Sequence, residues 1–497
     1  MLRDRFMDRG ARASFLALSL LACGCAGAFS GASGELEGEA RGTSVSRVDA
    51  SDSDALVAAA LGADPESEAF AASVDALRQR GPDQLDALIE RYAELAPTGE
   101  DDARWRGLID AVAQQRDAVY GGLFWERDLD RARQRARSEG KAILSLRLLG
   151  ELDTEFSCAN SRLFRTLLYA DPELAAWLET HFVLHWSSER PVPRMAIDFG
   201  DGRVVHRTIT GNSAHFVLDA DGRTLDVLPG LWAPPRFRAA LEQSLELVGA
   251  LDGRSLDADA TAVLAAHHER RFEAAAVDLS AKLTTLRGAP VDVRDARLWL
   301  AQAPGDEDGD GRVPAKIAVP MAVGKSRMEA PILDAAPRQL GLRGPAEPAK
   351  APSLLGVALD LGPGFEPMTE AERVVLGVGL SHYDDLHPNT LAILSAERPV
   401  DGLVEGARER AELESRMAAG LLTSVHEDTA KNALELYPRV HAELARRARA
   451  GEPLDFESVD AWLYAELFQT PAGDPWLGLV DPEVYTGLVR GGVSVKG

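Results

Sequence analysis

The chain reads as an α/β protein, with an α/β domain over residues 121–250 between an N-terminal helical region (55–120) and a larger, mostly α-helical C-terminal region (251–497). Two patterns predict this. On either side of the central stretch, apolar residues recur at the three- and four-residue spacing of amphipathic helices. Within it, short apolar runs of strand length alternate with helical stretches, and glycine-containing turn sequences separate them.

The elements follow in order. In region 55–120, Phe70, Val74 and Leu77 share one helical face. Leu85, Leu88, Ile89 and Tyr92 share a second, and Trp105, Leu108, Ile109 and Val112 a third. Gly81-Pro82 and Pro97-Thr98-Gly99 punctuate these helices. Asp128 can cap a helix over 129–138, with Gly140 past its end as a stop. An apolar strand is expected over 142–149, a helix over 159–169, a short helix over 172–180 and a strand over 182–187. Two β segments near 195–198 and 204–209 can pair through Gly200-Asp201-Gly202. Segments 215–219 and 224–228 flank Asp219-Ala220-Asp221-Gly222, a strong hairpin signal, and a helix over 235–251 closes the domain.

This helix–strand–helix–strand–hairpin–helix order resembles the thioredoxin fold. Trp125, followed by a helix and Gly140-Lys141-Ala142-Ile143-Leu144, looks like the entry into the central strand of secreted thioredoxin-like proteins. The run from Phe216 through Asp219-Ala220-Asp221-Gly222 to Arg223 is similar to their terminal hairpin. Gly230-Leu231-Trp232-Ala233-Pro234 is similar to their turn into the closing helix. The stretches at 158–162 and 474–479 add a resemblance to large bacterial thioredoxin-like proteins, which implies no particular activity.

In thioredoxins a Cys-x-x-Cys sits where the first long strand meets its helix. Here the junction reads Ser157-Cys158-Ala159-Asn160-Ser161-Arg162. The resemblance places Cys158 at the attacking position and Ser161 at the resolving one. Counting back from Gly222, it places Ser213 where the family carries a cis-proline. A thiol at a helix N-terminus faces unpaired N–H groups and the positive dipole end, which favour thiolate. Arg162 would add to that, whereas Glu151, Asp153 and Glu155 would oppose it. A hydroxyl cannot resolve a mixed disulfide, so Cys158 alone cannot run a dithiol cycle. Three readings of Cys158 therefore stand: a fold used for binding or structure, a monothiol centre, or a metal or other role. In the second, Cys158 attacks, Ser161 donates a hydrogen bond to the thiolate, and the backbone near Ser213 holds the partner.

The N-terminus carries an address. Arg3, Arg5, Arg9 and Arg12 precede an apolar stretch over 13–22, too short to span roughly 30 Å of hydrocarbon and suited to a signal peptide over residues 1–22. It ends in Leu20-Leu21-Ala22-Cys23, which resembles the lipobox of bacterial lipoproteins. That resemblance implies cleavage before Cys23, acyl chains on it and a membrane partner. Gly24 stands where lipoproteins kept in the inner membrane often carry Asp, which favours the outer membrane. Residues 23–54 then read as a flexible tether, rich in Gly, Ser, Ala and Glu, that spans roughly 30 Å.

A net charge of −24 excludes nucleic acid as a partner, because a phosphate backbone would be repelled. A protein partner at the thioredoxin-like domain remains open, as does the oligomeric state. Three cysteines cannot make a disulfide framework. Neither a cofactor nor a metal is expected. Asp306, Asp308, Asp310 and Gly311 begin like a calcium loop, but its twelfth position is Ile317. His382 and His387 are spaced five apart, and His267-His268-Glu269 lacks the second histidine of a metalloprotease helix. Val323-Gly324-Lys325-Ser326 lacks the first glycine of a phosphate loop. In the C-terminal region Thr369-Glu370-Ala371-Glu372 is a capping box, and amphipathic stretches follow at 403–423, 427–448 and 455–468.

Overall fold

The structure, a computed structural model, describes residues 50–208, 212–251, 258–293, 368–397, 406–468 and 470. Cys23, Cys25, the signal peptide, most of the tether, the Asp306–Gly311 and Val323–Ser326 motifs and the 474–479 stretch lie outside the described residues. The chain divides into two compact units between Val112 and Ala113.

The first unit holds α1 (Ala50–Gly62), α2 (Glu68–Arg78), α3 (Pro82–Leu95) and α4 (Glu100–Ala113). The three predicted faces are buried, except that Phe70 is only half-buried. Ser67 caps α2 by accepting from the Phe70 amide. Gly81, at φ +84°, precedes Pro82 in the first turn of α3, where a missing N–H costs nothing.

The second unit begins with α5 (Ala118–Gly121), β1 (Trp125–Glu126), α6 (Leu129–Glu139) and β2 (Ala142–Leu149). Asp128 accepts from the Arg131 amide, and Gly140 ends α6 at φ +66°. After a loop come α7 (Ala159–Leu163), which runs on through a π-helical turn at Phe164–Leu168, and α8 (Pro172–His181). They lead into β3 (Phe182–Arg190), β4 (Arg194–Asp198), β5 (Val204–Thr208), β6 (Ala214–Leu218) and β7 (Thr224–Pro229). The helices α9 (Pro234–Leu251) and α10 (Ala258–Arg287) follow.

Five strands form one sheet in the order β1-β3-β2-β6-β7. The β1–β3 and β3–β2 pairs are parallel, and β2–β6 and β6–β7 are antiparallel. β2 is central and covered on both faces, as its nearly unbroken apolar run requires. β4 and β5 form a separate hairpin whose residues alternate between exposed and half-buried, except for the buried Thr208 at its end.

The C-terminal helices are α11 (Glu370–Ser381), α12 (Pro388–Ala396), α13 (Ala407–Lys431), α14 (Tyr437–Ala450) and α15 (Phe456–Trp462). The capping box at Thr369 and Glu372 is formed. The expected break between 423 and 427 is absent. α13 continues through a π-helical turn at Asn432–Leu436 directly into α14. Thr423 and Ser424 turn their hydroxyls back onto the carbonyls of Ala419 and Gly420, which keeps them inside the helix. The π turn lies just before Pro438, whose ring cannot continue an ordinary hydrogen-bond ladder.

Of these helices α12 to α15 pack on one apolar core with the sheet, whereas α11 joins a second cluster with α10 and with Ala430 and Leu434. Phe216 of β6 meets Phe456 of α15 edge-on at 4.8 Å. The Thr224 amide donates to the Leu454 carbonyl, so the chain before α15 covers part of the β7 edge. The buried indoles of Trp125, Trp186 and Trp232 each donate to an oxygen, those of Gln115, Gln114 and Pro229.

Candidate functional site

The sheet brings the three expected site residues together. The Cys158 amide donates to the Leu149 carbonyl at the end of β2, which pins the loop return and sets Cys158 as the N-cap of α7. Ser161 lies one turn on, and Ser213 directly precedes β6. The Cys158 Sγ is 3.3 Å from the Ser161 Oγ and 2.8 Å from the Ser213 Oγ.

Two expectations change with this geometry. The Ser161 hydroxyl donates its single proton to the Cys158 carbonyl at 2.8 Å. It can therefore only accept from the thiol, and the hydroxyl left to donate to sulfur is that of Ser213. Arg162 is half-buried and donates to the Thr208 hydroxyl, while Glu151 and Asp153 pair with Arg127. Among the described residues no peptide bond is cis, and that before Ser213 is trans.

Cys158 is fully buried. The C-terminal segment covers its surroundings. The Tyr464 hydroxyl donates to the Asn212 carbonyl, and the Asn212 amide nitrogen donates to the Thr470 hydroxyl. Burial, together with the nearby Asp460 and Cys158, holds the Tyr464 phenol well above its usual range.

Beside this covering helix lies a charged cluster that sequence reasoning missed. Arg147 of β2 donates to Asp460 Oδ2 at 3.0 Å, to the Ser187 hydroxyl at 2.9 Å and to Glu189 Oε2 at 2.7 Å. The available signal was one charged residue, an arginine, inside a largely apolar strand. Asp460 is pushed up to about 7, first by burial and then by the negative charge of Glu189, against the pull of Arg147.

A second missed group joins Asp226 of β7, His268 of α10 and His441 of α14, all buried. Burial holds His441 well below its ordinary value and lowers His268. His268 and His441 are 173 residues apart, so no local motif could have announced the pair. The other histidines considered serve backbone geometry: His382 ends α11 in the left-handed conformation, and His387 accepts from the Asn389 amide at the start of α12. Compared with known proteins, the chain matches no family model, no curated protein and no solved structure.

Proposed function

We propose that this is a lipid-anchored cell-envelope protein, tethered through Cys23 at the outer membrane. In this reading its thioredoxin-like domain serves as a binding or structural module. The thioredoxin-like reading is supported by the parallel β2–β3 pair, the antiparallel β6–β7 hairpin and the closing helix α9, with β4 and β5 as an inserted hairpin. The observation that carries the module reading is the full burial of Cys158, with Tyr464 and Thr470 bonded to Asn212 beside the serine that contacts its sulfur. A thiol that exchanges with partner disulfides has to meet the partner's sulfur, and here the sulfur is fully buried.

Alkylation mapped to the Cys158 peptide tests this. Modification in the folded protein is expected to be slower than in urea by about a thousandfold or more, because it waits on local opening. Reaction at the speed of a free thiol, with a pH midpoint well below 8, would sink the module reading. It would instead favour the monothiol alternative, for which the Ser213 hydroxyl at the sulfur is the supporting feature. For the anchor, Cys23→Ala is expected to leave the signal uncleaved and the N-terminal peptide free of acyl chains. A wild-type N-terminal peptide without lipid would remove the anchoring proposal.

A further inference from the structure

We propose that Asp226, His268 and His441 form a binding site for one divalent transition-metal ion of the zinc and cobalt class, between the β7 edge and the helices α10 and α14. This inference is independent of the reading of Cys158. The three residues come from three separate elements, and their candidate ligand atoms lie within 4.8 Å of one another. Two imidazole nitrogens and a carboxylate oxygen are a recurrent three-ligand set for such ions, with a fourth position left for water. Imidazole donors disfavour calcium and magnesium, which prefer oxygen.

The surroundings are arranged as supports for ligands. The His268 Nε2–H donates to the Leu225 carbonyl at 2.9 Å, which leaves its Nδ1 lone pair facing His441. A second ring nitrogen fixed on a backbone carbonyl is how metal-binding histidines are commonly oriented. Asp226 is held from both sides. Its Oδ2 accepts from Ser244 at 2.7 Å and from Tyr437 at 2.6 Å, and its Oδ1 accepts from the Val227 amide at 2.8 Å.

One feature is left over by this network that a cation would satisfy. The donors to Asp226 are all uncharged, and among the described residues no lysine or arginine pairs with it, although a buried carboxylate ordinarily has a cation beside it. The two Nδ1 atoms are 2.9 Å apart, the length of a hydrogen bond sharing one proton. Zinc–nitrogen bonds of ~2.0–2.1 Å at a tetrahedral angle separate two nitrogens by about 3.3 Å, so binding opens the pair by a few tenths of an ångström. Any remaining gap to the carboxylate, up to about 1.5 Å, has to close by movement of the two rings or of Asp226 against its hydrogen bonds.

The test uses the full chain, refolded from denaturant with Zn²⁺ or Co²⁺ and then dialysed, because a buried site fills during folding. About one ion per chain is expected, with visible Co²⁺ absorption of four-coordinate type and a raised Tm. Binding should fall below about a tenth of an ion in Asp226→Asn and in His441→Gln, both checked for folding by circular dichroism. Failure of the wild-type chain to retain either metal overturns the proposal and leaves a hydrogen-bonded imidazole pair only. Retention by both variants also overturns it, as does a cobalt–thiolate charge-transfer band. If the variants do not fold, the paramagnetically shifted imidazole signals of the Co²⁺-bound wild type decide. Two ligating histidines support the site, and one or none overturns it.

Discussion

Arg147→Met is expected to destabilise the protein by about 3–5 kcal/mol at pH 8, the range for removing one partner from a buried ion network. The guanidinium spans two carboxylates, at 3.0 Å from Asp460 and 2.7 Å from Glu189, and it reaches Ser187 across the β2–β3 pair. Methionine keeps much of the stem's packing but leaves two acids facing each other in a poorly hydrated place. The network joins the central strand to α15, so its loss should also loosen the cover over Cys158. Chemical unfolding at pH 8, with alkylation of Cys158 alongside, reads both effects. A change under about 1 kcal/mol would show that water already screens the cluster.

The same cluster sets a pH dependence with a definite sign. Two carboxylates share one arginine, the Asp460 Oδ1 has no hydrogen-bond partner, and Asp460 sits at about 7 against an ordinary value of 3.8. The folded state therefore holds a proton that the unfolded chain has released between these two values. Stability from this group is full below the lower value and is lost as pH rises toward about 7. Asp460→Asn should flatten that slope and raise stability at pH 8. If it lowers stability at pH 8 instead, the Arg147–Asp460 pair is a net attraction and the pH dependence has the opposite sign.

Gly377→Ala is the second large effect, expected to cost about 3 kcal/mol, the upper end of ordinary overpacking penalties. Gly377 is buried where α11 crosses α13, and a Cβ there would lie within 3.0 Å of backbone atoms of His426. Backbone inside a helix cannot rotate away as a side chain can. The helices must part, pulling on the hydrogen bond between the His426 ring and the Tyr383 carbonyl. Gly379, two residues on in the same helix, has nothing within 4 Å of its would-be Cβ. Gly379→Ala should therefore gain about 1 kcal/mol from helix propensity alone. Opposite signs at the two positions are the expected outcome, and equal effects would contradict the close crossing.

Much of the second unit was legible because its signals are local. Asp128 and Gly140 mark the two ends of α6 through their own side chain and backbone. The residues of β2 report burial by being almost all apolar, and Asp219 to Gly222 carry the β6–β7 turn by their own conformational preferences. Continuity was harder to read. Thr423 and Ser424 look like helix enders in one dimension, but their hydroxyls find carbonyls four residues back.

The candidate sites divide along the same line. The order of residues by itself determined that Cys158 opens a helix after a central strand, and that Ser161 stands one turn on, since both follow from spacing along one chain. Tertiary structure alone decided that Ser213 touches the same sulfur and that Tyr464 and Thr470 bond to the neighbouring Asn212. It also decided that Arg147 meets Asp460, and that Asp226, His268 and His441 converge. Those contacts join residues as many as 313 positions apart. Helix periodicity and turn chemistry act over a few residues, so they carry no record of which distant segment will be buried against which.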